Sequence, residues 1–127
     1  MPRILVTDDD DAVRAPLVRV LQIDGHSVME ARDGAEALEI LTAADAAFDM
    51  LVSDIRMPIM DGIALALAVA GQKPGFPILL MTGYAEQRER AKELEGLVDD
   101  VLTKPFPLGE FRATVKRILV ARGLLPA

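Results

Sequence analysis

Cysteine is absent from the 127 residues, which removes disulfides, thiol nucleophiles and any cysteine-ligated zinc or iron–sulfur centre. The absence fits a reducing compartment. Histidine occurs once, as His26 in the turn Asp24-Gly25-His26, and it reads as structural. Basic charge is in short supply: 14 Lys+Arg against 20 Asp+Glu give a formal charge of −6 and a pI near 4.7. Such a surface repels phosphate backbones and argues against nucleic acid as a direct partner. Long apolar runs are missing too. The longest uncharged apolar stretch, Ile63–Ala70, is far too short to span a bilayer. The segment Met1-Pro2-Arg3-Ile4-Leu5-Val6 has neither a long apolar core nor a cleavage site. A soluble, cytoplasmic chain without membrane contact is expected.

What is present is an ordinary globular mixture, 51% hydrophobic and 27% charged, in a chain sized for one domain. Short apolar runs of β type fall at Arg3–Thr7, Ser27–Ala31, Met50–Asp54, Pro77–Thr82 and Asp100–Thr103. Most are apolar on consecutive positions, as strands covered on both faces are. Helical patterns lie between them, at Asp11–Asp24, Gly34–Ala44, Gly62–Gln72, Ala85–Leu94 and Leu108–Arg122. In the last, Leu108, Phe111, Val115, Ile118 and Leu119 follow helical spacing and Gly123 is the stop. Strand–helix alternation repeated five times predicts an α/β fold with a parallel sheet and helices on both faces. Ligands of such sheets bind at the carboxyl ends of the strands.

At those ends stand Asp8-Asp9-Asp10-Asp11 after the first strand, Asp54 after the third, Thr82-Gly83 after the fourth and Lys104-Pro105 after the fifth. Taken singly each is ordinary: an aspartate run caps a helix, Thr-Gly makes a turn, a lysine faces water. Their joint placement on one rim is not ordinary. Clustered carboxylates repel one another and call for a cation. Oxygen donors without His or Cys suit Mg²⁺. Asp54 is then a carboxylate nucleophile able to form an acyl phosphate, with Lys104 and the metal neutralising the transferring group. Thr82 can donate a hydrogen bond to it, and Gly83 leaves the approach open.

The chain resembles, over essentially its whole length, the receiver domain of bacterial two-component response regulators. The resemblance is carried by Ile4-Leu5-Val6-Thr7-Asp8-Asp9-Asp10, Asp33-Gly34-Ala35-Glu36-Ala37-Leu38, Ser53-Asp54-Ile55-Arg56-Met57-Pro58, Met60-Asp61-Gly62, Met81-Thr82-Gly83 and Thr103-Lys104-Pro105-Phe106. It implies a (βα)₅ flavodoxin-like three-layer sandwich with strand order 2-1-3-4-5, spanning residues 1–122, with 123–127 as a short tail. It also implies roles. Asp54 is the phosphoacceptor. Asp9 and Asp54 hold Mg²⁺ with the backbone carbonyl of Arg56, and Asp8 acts through water. Thr82 follows the phosphoryl group, Lys104 pairs with it, and the bond before Pro105 is cis. Met57-Pro58 and Asp61-Gly62 shape the loop under the site and start the third helix.

Several positions depart from the family pattern or sharpen it. Three residues before Lys104, where receivers often carry a Tyr or Phe switch, stands Val101. Displacement of the Gly83–Glu86 loop, with Tyr84 as reporter, is the expected substitute. Arg56 and Tyr84 occupy the positions that flank the hydrolytic water and are bulky enough to shield an acyl phosphate. Pro16, with Ala12, Ala15 and Pro105, is expected to form the surface on which a phosphoryl donor docks. The third helix should show a small apolar outer face of Ala64, Leu67 and Ala68. The fourth, with Glu86, Arg88, Glu89, Arg90, Lys92, Glu93 and Glu95, should be a solvated face.

The expected function is a switch that accepts a phosphoryl group from a histidine kinase or histidine phosphotransfer protein. It would then act on a downstream protein target or as a phosphate sink, without a DNA-binding output domain, as a monomer or a weak phosphorylation-dependent dimer through the fourth helix, fifth strand and fifth helix. It would catalyse only its own phosphorylation and hydrolysis. The alternative is a receiver excised from a longer response regulator or hybrid kinase. A haloacid-dehalogenase type phosphatase would need a cap for which the chain is too short. A flavodoxin-like cofactor binder would need a phosphate loop where the aspartates stand. A pseudo-receiver scaffold would lack site residues that are all present here.

Overall fold

Five runs of apolar residues become the strands of one parallel sheet in the computed structural model, which describes residues 1–127 apart from Ala44 and Glu95. The strands are β1 (Arg3–Thr7), β2 (Ser27–Ala31), β3 (Met50–Asp54), β4 (Ile78–Thr82) and β5 (Asp100–Thr103). They alternate with α1 (Asp11–Ile23), α2 (Gly34–Thr42), α3 (Gly62–Gln72), α4 (Ala85–Lys92) and α5 (Leu108–Ala121). The sheet order is β2-β1-β3-β4-β5, every pairing parallel. This is the (βα)₅ arrangement and strand order expected.

Burial follows position in that order. All residues of β3 and β4 are buried, whereas the edge strands β2 and β5 expose part of theirs. Alternate residues of the inner strands point to opposite layers. Ile4, Val6, Val52, Leu79 and Met81 meet α1 and α5 through Leu17, Leu21, Phe111, Val115 and Leu119. Leu5, Leu51, Ile78 and Leu80 meet the other layer through Ala37, Leu41, Ile63, Ala66, Val69 and Ala91. Leu124 and Leu125 pack against the first of these clusters.

Element ends carry the caps that their residues dictate. Asp10 caps α1 by accepting the Ala12 N–H at 2.9 Å, Asp33 caps α2 through Glu36 N–H at 2.8 Å, and Asp61 caps α3 through Ala64 N–H at 2.8 Å. Gly123, at φ +73°, closes α5 as expected. Four helices end slightly earlier than their patterns predict. The chain of α4 tightens after Lys92 into three-residue bonds, Glu93 N–H to Arg90 O and Leu94 N–H to Ala91 O. The expected end of α2 at Ala44, and Glu95 in the fourth helix, lie outside the described residues. Strand β4 starts at Ile78, one residue late, because Pro77 has no N–H to donate to a ladder.

Gly62 brings α3 onto the end of β3. Its N–H donates to Ile55 O at 2.8 Å, and a Cβ there would lie 2.2 Å from Asp54 O. Only glycine permits that approach.

Candidate functional site

The parallel order β2-β1-β3-β4-β5 places the carboxyl-terminal ends of β1, β3, β4 and β5 side by side, and the residues predicted there converge. Asp54 ends β3, Thr82 ends β4, Asp8 and Asp9 follow β1, and Lys104 follows β5. Carboxylate oxygens of Asp8, Asp9 and Asp54 all lie within 4.8 Å of one another. Asp8 and Asp54 are buried, and Asp9 is exposed at the mouth. Lys104 Nζ bridges the two buried groups, 3.2 Å from Asp8 Oδ2 and 3.1 Å from Asp54 Oδ1. The Lys104–Pro105 peptide bond is cis, as expected.

Electrostatics in this cleft are unbalanced toward acid. Burial pushes the Asp54 carboxyl above the ordinary aspartate value; Lys104 pulls it down, and the charge of Asp8 adds to the rise. Burial by itself would lower the Lys104 ammonium, but Asp54 and Asp8 outweigh it and the lysine is raised. A surplus carboxylate facing solvent beside two buried ones is a donor set of hard oxygens only.

The cleft, about 480 Å³, is lined by Asp8, Asp9, Asp10, Val13, Asp54, Arg56, Gly83, Tyr84 and Lys104. Across its mouth Arg56 Nη1 donates to Tyr84 Oη at 2.6 Å, and the guanidinium carbon stands 4.9 Å from the Tyr84 ring centroid. The two bulky residues thus meet each other over the site. At Gly83 an added Cβ would come no nearer than 3.8 Å to Lys104 Cβ, so the glycine is small toward the cleft rather than toward its neighbours. Val101 is half-buried and packs with the α2–α4 layer.

Beside the cleft lies a second groove of about 290 Å³, lined by Ala12, Val13, Pro16, Leu17, Lys104, Pro105, Phe106 and Leu108. It unites Ala12, Pro16 and Pro105 of the expected docking surface, while Ala15 is exposed and outside the groove. Ala64 and Leu67 of α3 face outward with Ala68 half-buried. His26 sits before β2, at the opposite end of the sheet from Asp54; its Nδ1 is buried without a partner, and burial lowers its pKa.

Two participants escaped the sequence reading. Arg14 is buried and its guanidinium donates to the backbone carbonyl of Asp8 at 2.7 Å, to Glu30 Oε1 at 2.8 Å and to Asp11. The signal was present, since Arg14, Leu17, Val18 and Leu21 share one helical stripe. Gln87 is the other: Thr82 Oγ1 donates to its Oε1 at 3.0 Å. Nothing in the spacing of a charged, solvated helix marks it.

Residues 4–116 match the family model for the response regulator receiver domain. The chain is 40% identical to the transcriptional regulatory protein PrrA of Mycobacterium tuberculosis over 96% of its own length and 52% of that protein's. It is 43% identical to the response regulator MprA of Mycobacterium tuberculosis over 92% of its length and 50% of MprA's. The chain therefore spans about half the length of the curated relatives it matches. Among solved structures, the response regulator TrrA from Thermotoga maritima, in complex with Mg(2+)-BeF, is similar with a TM-score of 0.84 at 31% identity, covering 94% of this chain and 100% of that one.

Proposed function

The chain belongs to the response regulator receiver domain family, and we propose that it is a phosphorylation-activated switch in which Asp54 accepts a phosphoryl group from a histidine kinase or histidine phosphotransfer protein. The observation that carries this reading is the meeting of Asp54 with Asp8, Asp9 and Lys104: three carboxylates within 4.8 Å and one ammonium 3.1 Å from Asp54 Oδ1.

In the transfer, an Asp54 carboxylate oxygen attacks phosphorus, the P–N bond of the donor phosphohistidine breaks, and the imidazole leaves with the electron pair and takes up a proton. Hydrolysis of the acyl phosphate later returns the carboxylate and inorganic phosphate. Lys104, already paired to Asp54, balances the charge brought in by the phosphoryl oxygens. The Thr82 hydroxyl is the donor that follows them. Arg56 and Tyr84, joined over the cleft, stand in the path of the hydrolytic water. The hard-oxygen donor set fits Mg²⁺, which would be held by Asp9, Asp54 and the backbone carbonyl of Arg56, with Asp8 through water. When bound it supplies charge neutralisation on the phosphoryl group. The complex of TrrA with Mg(2+)-BeF supports that choice of metal.

On this reading the receiver comprises residues 1–122, works in the cytoplasm, and has as its only chemistry the gain and loss of its own phosphoryl group. It acts by contact with a protein target, through α4, β5 and α5 in a weak phosphorylation-dependent dimer, or as a phosphate sink. A second form of the proposal, a receiver unit within a longer regulator, is supported by the half-length match to PrrA and MprA.

The test is intact mass after incubation with acetyl phosphate or phosphoramidate and Mg²⁺. Wild type should gain one phosphoryl group in a metal-dependent way, and Asp54→Asn should gain none. Retained modification in Asp54→Asn would mean another nucleophile.

A further inference from the structure

The buried Thr82 hydroxyl is already committed. It donates to Gln87 Oε1 at 3.0 Å, touches Tyr84 O at 3.4 Å, and accepts the Tyr84 N–H at 3.1 Å. A hydroxyl has a single proton to give. While that hydrogen bond is given to Gln87, it cannot be given to a phosphoryl oxygen.

Gln87 stands near the start of a loosely seated helix. Ala91 is the only buried residue of α4, and its N-cap residue, Tyr84, makes no side-chain cap bond. Among the described residues, two side-chain hydrogen bonds tie α4 to the sheet: Thr82 to Gln87, and Arg88 Nη1 to Thr103 Oγ1 at 2.6 Å. The Val101 side chain on β5 has no polar atom or ring with which to sense Thr82.

We propose that Gln87 is a latch that holds the Thr82 hydroxyl and thereby couples the state of Asp54 to α4. When Asp54 carries a phosphoryl group, Thr82 turns its proton to that group, Gln87 loses its partner, and the first turns of α4 come away from β4. Gln87 is a positioning residue: it acts on the site only through Thr82. The proposal rests on Asp54 as phosphoacceptor and names what that event releases.

Two measurements test it, using Gln87→Met, which keeps the stem and the helix propensity and removes the acceptor. In the free protein, amide exchange over residues 85–92 should be several-fold faster than in wild type, because one of the two ties is gone. Unchanged exchange would overturn the latch. Fluoroberyllate with Mg²⁺ is the second probe. Without the bond to be broken, Gln87→Met should bind it about fivefold more tightly than wild type. In a Thr82→Ala background the same substitution should change nothing. With Thr82 intact, equal affinity of Gln87→Met and wild type would overturn the latch, as would the same tightening with and without the Thr82 hydroxyl, and either would leave Asp54 untouched. Should Asp54→Asn bind fluoroberyllate as wild type does, or neither bind it, the phosphoacceptor reading falls and the latch falls with it.

Discussion

At Asp54 the fold holds a carboxylate where burial and the charge of Asp8 oppose its ionisation more than Lys104 favours it. A raised carboxyl pKa means that the native state binds the proton more readily than the unfolded chain does. Stability from this group is therefore greatest below the ordinary aspartate value and is lost as pH rises through the raised one. Replacing the carboxylate by its neutral isostere removes that penalty. Without divalent metal, Asp54→Asn should melt above wild type at neutral pH, and the gap should close as pH falls through the raised value toward the ordinary aspartate range. Thermal scans across that range check it. The Arg56–Tyr84 contact makes a second residue-scale prediction. The pair is joined at 2.6 Å across the cleft and is proposed to restrict the approach of water, so Arg56→Ala with Tyr84→Ala should shorten the lifetime of the phosphorylated form. An unchanged decay rate by intact mass would reject shielding.

Helix α3 is seated by a backbone approach with no space for a side chain. A Cβ at Gly62 would meet Asp54 O at 2.2 Å and Ile55 Cα at 2.9 Å, both backbone atoms that cannot swing aside. Gly62→Ala should cost about 2–4 kcal/mol of stability, measured by denaturant unfolding, and should lower phosphorylation of what remains folded by shifting the end of β3. The loop before it contains Ile59 at φ +71°, 84% exposed, a strained conformation for a β-branched residue. Helix α1 serves two masters. Its inner stripe carries Arg14 under Asp8, and its outer face carries Pro16 into the groove with Pro105. Because that groove adjoins the cleft through Lys104 without containing Asp54, Pro16→Glu should slow transfer from a phosphorylated histidine protein at least severalfold. Its labelling by phosphoramidate should stay as in wild type. Equal transfer rates would place donor docking elsewhere.

For the molecule as a whole acid is in excess, 20 Asp and Glu side chains to 14 basic ones. Three of those carboxylates have oxygens within 4.8 Å, so a cation that binds only the folded arrangement should stabilise the entire domain. Mg²⁺ at about a hundred times its dissociation constant should add about 2.7 kcal/mol, seen as a rise in thermal midpoint. Asp9→Asn should remove most of that rise. No helix among the described residues is long and apolar enough to cross a membrane, consistent with the shortness of the Ile63–Ala70 stretch.

Sequence alone determined the architecture and most of the site. Consecutive apolar runs alternating with helical patterns leave a doubly covered parallel sheet as the arrangement that buries them, and topology then brings Asp8, Asp9, Asp54, Thr82 and Lys104 to one rim without any knowledge of side-chain contacts. The caps at Asp10, Asp33 and Asp61 were equally local, each an aspartate before a helical pattern. Tertiary structure decided where the polar side chains send their hydrogen bonds. Lys104 reaches Asp8 and Asp54 across 96 and 50 residues of chain, Arg14 turns inward to the Asp8 carbonyl, Arg56 closes on Tyr84, and Gln87 accepts the hydrogen bond of the Thr82 hydroxyl. Hydrophobic periodicity reports which face of an element is buried; it says nothing about which partner a long polar side chain on the rim of that face will find. That choice depends on the distance between elements remote in sequence, and only packing sets it.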